Sequence, residues 1–134
     1  MSQASRPRSP PLSPHLQVYR WQISNTLSIL HRLTGMALAV GSLALVAWLL
    51  ALATGQSAYA QATWALGSLP GQVLLVGWSF CFFYHFCNGL RHLAWDAGLG
   101  FDKAVARKSG IVAVGAAALL TVMFWVAALT QVVP

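Results

Sequence analysis

An all-α integral membrane protein with three transmembrane helices is the fold class this sequence predicts, and three observations carry it. Of its 134 residues, 57% are hydrophobic and only 7% are charged, against roughly 25% charged in an average soluble domain. No Asp, Glu, Lys or Arg occurs from Leu33 to Leu90 or from Ser109 to Pro134. Eight basic residues face only Asp96 and Asp102, for a net charge of +6, and these bases are scattered rather than gathered into a phosphate-binding patch. The composition excludes a disordered chain, a coiled coil and an ordinary soluble enzyme, and no nucleic-acid partner is expected.

The elements follow in order from the hydrocarbon thickness. Crossing roughly 30 Å at about 1.5 Å per residue takes about 20 apolar residues. The first uncharged block therefore holds two spans, near 29–53 and 71–95, and the second holds one, near 111–132. Between the first two, residues 54–71 (TGQSAYAQATWALGSLPG) read as a loop, because polar residues and the Pro70-Gly71 pair interrupt the apolar run. Arg6, Arg8 and Arg20 precede the first span, and Lys103, Arg107 and Lys108 lie between the second and third. The first loop and the C-terminus carry no charge, so the N-terminus is expected inside and the C-terminus outside.

The chain is expected to form one domain over 1–134, with 1–27 as an N-terminal interfacial segment. Its basic start is not followed by an apolar stretch with a cleavage site, so it does not read as a signal peptide. Pro10, Pro11 and Pro14 resist helix formation, and Tyr19 and Trp21 suit the headgroup layer. Cys81 and Cys87 fall on different faces of the second span, cannot bridge each other, and read as small buried hydrophobes.

Ionisable side chains inside spans are costly and mark candidate functional sites. Here they are His31, Arg32, His85, Arg91 and His92. With inner boundaries taken at Ser28 and Trp95, Arg32 lies roughly 6 Å deep, His92 roughly 5 Å and His85 about 15 Å, near the midplane. His31, Arg32, Arg91 and His92 then form one shallow basic layer. A neutral imidazole at the midplane suits a haem axial ligand, with the basic layer facing the propionates, and it equally suits an interhelical hydrogen bond. On this arithmetic His15, His31 and His92 all lie too near the inner surface to meet His85 across an iron, so a second histidine ligand would come from another polypeptide. Ser28, His31 and Arg32 share a helix face at i, i+3 and i+4. A hydroxyl and a guanidinium there are suitable donors to a quinone, although Arg32 can also simply snorkel and Ser28 bond its own backbone. Asp96 reads as a surface ion pair with Arg91 or a loop cap.

Two longer segments carry a family resemblance. Leu12-Ser13-Pro14-His15-Leu16-Gln17-Val18-Tyr19, followed by Ser28-Ile29-Leu30-His31-Arg32-Leu33-Thr34-Gly35, resembles the signature of cytochrome b556 membrane-anchor subunits of succinate dehydrogenase. His85-Phe86-Cys87-Asn88-Gly89-Leu90-Arg91-His92-Leu93-Ala94-Trp95-Asp96 resembles the second signature of that family. The chain departs from it at Pro10-Pro11, where the family usually has Arg-Pro. The resemblance implies a non-catalytic subunit of a succinate:quinone oxidoreductase (complex II), part of a heteromeric helix bundle. His85 is then the ligand of haem b, and His31, Arg32, Arg91 and His92 lie near its propionates. Ser28, Arg32 and Ile29 fall at the ubiquinone site. The implied partners are a flavoprotein, an iron-sulfur subunit and a second small anchor that shares the haem, in a bacterial inner (cytoplasmic) membrane or, alternatively, a mitochondrial inner membrane. A purely structural anchor and a small transporter subunit are the rival classes, and the transporter lacks any acid within the spans to couple ions.

Overall fold

The computed structural model describes residues 20–132, so the expectations for His15, Tyr19 and the rest of 1–19 lie outside the described residues. Four helices follow one another: α1 (Ile23–Thr54), α2 (Gln56–Gly67), α3 (Leu69–Asp96) and α4 (Lys103–Val132). Among them α1, α3 and α4 are long and apolar enough to cross a membrane. Each outruns its predicted span. α1 begins at Ile23 rather than 29, and α4 at Lys103 rather than 111, because hydropathy marks only the apolar stretch. Backbone hydrogen bonding continues past it through Ser24 and Asn25, and through the helix-favouring Ala104 to Lys108.

The segment expected as a loop between the first two spans contains α2, a helix of 12 residues. Its Ala, Gln and Leu residues favour helix, and the punctuating residues act only at its ends. Gly55 takes a φ of 132° at the α1–α2 corner, a conformation that L side chains rarely adopt. At the other end Ser68 accepts from the Gly71 N–H at 3.3 Å, with Pro70 in the first turn of α3. A Cβ on Gly71 would run into the carbonyls of Ala65 and Leu66, so this corner closes only around glycine.

α3 is the central helix, packed against α4 most extensively and against α1 next. Leu27, Tyr84 and Ala117, one from each long helix, form the buried core, and the Tyr84 hydroxyl donates to the Leu27 carbonyl at 2.9 Å. Polar contacts also tie α3 to α4: Trp125 Nε1 donates to Ser79 Oγ at 2.8 Å, and Arg91 Nε donates to Ser109 Oγ at 3.0 Å. Cys81 and Cys87 are both free. Away from these contacts the helices remain apolar and uncovered; Val40 and Leu43 on α1 are 69% and 70% exposed. Such surface belongs against lipid or other membrane helices, not water.

The α1–α3 crossing depends on Gly41, where an added Cβ would strike the Trp78 indole, whereas a Cβ on Gly115 of α4 meets nothing. Gly41→Ala is therefore expected to destabilise the bundle by about 1–3 kcal/mol. Gly115→Ala should be neutral or stabilising, since it removes glycine's backbone entropy from a helix. Thermal denaturation of the detergent-solubilised protein compares the two, and equal midpoints would mean that the Trp78 contact is not needed for packing.

Candidate functional site

The site is built where α1 and α3 cross near the arginine-bearing end of α1. His31 stacks on His85 with ring centroids 3.9 Å apart and planes 10° from parallel. His92 lies on the other side of the cluster, 5.0 Å from His31, and meets Trp95 edge-on at 5.0 Å. The three imidazoles thus form one row. The depth arithmetic, which put His31 in a shallow layer well short of His85, is corrected in one respect: the two rings lie at the same level of the α1–α3 crossing.

His85 is held by the backbone of α1. Its Nδ1 is 3.1 Å from the His31 carbonyl oxygen and 3.3 Å from Thr34 Oγ1. The ring fits because residue 35 is glycine; a Cβ there would stand 3.0 Å from His85 Cε1. Among the described residues no hydrogen bond engages His85 Nε2, and His31 Nδ1 is buried without a partner. Among those residues no three His, Cys, Asp or Glu side chains are grouped to hold a bare metal ion. An iron bound at His85 would therefore need ligands from outside the described residues, as a porphyrin supplies. Two rings stacked face to face leave no place for an iron between them, so His31 is not arranged as a ligand opposite His85.

The remaining expected residues separate into two groups. Ser28, Ile29 and Arg32 are exposed on α1, beside the line of Leu27, His31 and Thr34 that faces α3. Among the described residues the Ser28 hydroxyl and the Arg32 guanidinium make no hydrogen bond. Thr34 and Ser42, by contrast, bond back to their own helix. Arg91 is buried against α4: Nη2 donates to the Ala106 carbonyl at 2.8 Å, Nη1 to Asn88 Oδ1 at 3.2 Å, and Cζ lies 4.0 Å from the Trp95 ring centroid. These contacts replace the expected ion pair with Asp96, which is not formed among the described residues. Sequence reasoning missed Thr34 and Gly35 as neighbours of His85. Their spacing of three and four residues from His31 places all of them on one face, which is the signal that was present.

The sequence profile of the succinate dehydrogenase/fumarate reductase transmembrane subunits matches residues 6–124. The chain is 43% identical over 116 residues to the succinate dehydrogenase cytochrome b556 subunit of Rickettsia felis, covering 87% of this chain and 90% of that one. It is 41% identical over 113 residues to the subunit of the same name from Paracoccus denitrificans, covering 84% and 87%. The mitochondrial succinate dehydrogenase cytochrome b560 subunit of Sus scrofa is 35% identical over 104 residues, covering 76% and 62%.

Proposed function

Because the chain belongs to the family of succinate dehydrogenase/fumarate reductase transmembrane subunits, we propose that it is the haem b-binding membrane anchor of a succinate:quinone oxidoreductase. In this reading it docks a flavoprotein and an iron-sulfur subunit and forms part of the ubiquinone site. The observation that carries it is the state of His85. This histidine lies in the interior of a membrane-crossing helix with Nδ1 occupied by α1 and Nε2 uncommitted among the described residues. Haem b held at Nε2 would supply one-electron chemistry within the bilayer.

His31 stacks on His85, His92 packs against His31, and Arg32 is exposed on the neighbouring face of α1; in this reading the three offer N–H donors to acidic propionates. Arg91, expected in the same layer, acts there at one remove, by bracing Trp95 against which His92 packs. In this reading a second small anchor subunit would supply the remaining protein ligand to the haem. On the neighbouring face, Ser28 and Arg32 donate to the quinone carbonyl oxygens while Ile29, 44% exposed, gives an apolar wall. A reduced-minus-oxidised visible spectrum of the purified complex tests the reading. A low-spin b-type signal is expected, and its absence would leave a purely structural anchor.

The inner membrane of a bacterium is the setting we infer, with the N-terminus inside. The charge distribution then puts α2 outside and the segment around Lys108 inside. Single cysteines at Gln56 and Lys108, in a background lacking Cys81 and Cys87, probe this with an impermeant thiol reagent on intact cells. Only the position 56 variant should react; reaction of the position 108 variant alone would invert the topology.

A further inference from the structure

We propose that Thr34 and the His31 carbonyl together select the tautomer and ring orientation of His85, making Thr34 a positioning residue for the metal-binding nitrogen. The proposal rests on the reading of His85 as haem ligand and extends it to groups that do not touch the metal. A carbonyl oxygen accepts and never donates, so its 3.1 Å contact requires the His85 proton to be on Nδ1. The lone pair is then on Nε2, which is the form a metal ligand requires. Thr34 Oγ1 reinforces the choice. Its own proton is directed to the Leu30 or His31 carbonyl, each 2.9 Å away, which leaves an oxygen lone pair facing Nδ1 at 3.3 Å.

Two further contacts fix the plane of the ring. The His31 imidazole covers one face at 3.9 Å, and Gly35 provides the gap into which Cε1 fits. Thr34 is itself buried, at 8% exposure, so its hydroxyl has no water to turn to and its hydrogen-bond pattern persists. A stretch of α1 only five residues long, 31–35, therefore supplies the acceptors, the stack and the clearance for a ligand on another helix. Acceptors on the distal imidazole nitrogen raise the basicity of the ligating one, and losing such a partner typically weakens metal binding about 10- to 100-fold.

The test uses the whole purified complex and compares Thr34→Val, Thr34→Ser and Gly35→Ala with the parent, with subunit stoichiometry as the measure of assembly. The readouts are the rate of haem transfer to a soluble apoprotein acceptor and the midpoint potential of the haem. Thr34→Val, which keeps the shape and removes the acceptor, should lose haem about tenfold faster and titrate at a higher potential, because a less electron-rich ligand stabilises ferric iron less. Thr34→Ser should restore both values toward the parent. Gly35→Ala should disturb them by pushing the ring off the carbonyl, and it keeps the question answerable if the valine variant fails to assemble. Parent-like retention and potential in Thr34→Val, or no rescue by serine, would overturn the positioning role. A parent complex without haem, or one whose haem survives His85 replacement unchanged, would instead overturn the ligand reading itself.

Discussion

His85→Leu is expected to abolish the low-spin b-type spectrum of the assembled complex or convert it to a high-spin one, because in the proposed reading it removes a haem ligand. His92→Leu should keep both ligands and only shift the potential: His92 contacts the row through His31 and Trp95, at centroid distances of 5.0 Å each, and does not touch His85. The chain expressed by itself should not give a six-coordinate low-spin haem, because the His31 ring stacked on His85 cannot serve as the ligand on the opposite side. An unaltered low-spin spectrum in His85→Leu, or that spectrum from the isolated chain, would sink the assignment.

Arg32→Leu is expected to lower quinone reduction by roughly ten- to a hundredfold, corresponding to about 1.5–3 kcal/mol for a charged hydrogen-bond donor. Ser28→Ala should act in the same direction with a smaller effect, because a neutral donor contributes less. Both side chains are exposed on α1 and bond to nothing among the described residues, so their removal leaves the α1–α3 and α3–α4 contacts in place. Succinate oxidation by a soluble dye should therefore stay near the parental rate. Parallel loss of dye and quinone activities would mean that the substitutions disturb assembly, and the quinone role would fall.

The number of spans, their order and the family were legible in the sequence, because they depend on quantities local to it. Hydrocarbon thickness converts an uncharged stretch into a helix count, and the segments around His31 and His85 carry the family signature in their own residue order. Where each helix begins was not legible. Stretches that include polar or charged residues, such as Ser24-Asn25 and Ala104 to Lys108, are as compatible with a loop as with a helix that emerges from the bilayer, and only packing decides. Nor was the level at which the two helices meet legible: His31, placed by the arithmetic in a shallow layer, stacks on His85. The same holds for α2, whose Ala- and Gln-rich residues turn helical between corners closed by Gly55 and Gly71.

Sequence alone thus singled out the candidate site residues, since ionisable groups are rare enough in lipid for their presence to be informative. Which of them meet was decided by the tertiary structure. Arg91 turned to Ser109 and Ala106 of α4 rather than to Asp96, and Thr34 and Gly35 became neighbours of a histidine 50 or more positions away. The physical reason is that contact between two helices depends on their tilt, rotation and closest approach. Those are set by small residues and core side chains at the crossing, such as Gly41 against Trp78 and Tyr84 against Leu27, and not by the hydropathy of either helix taken singly.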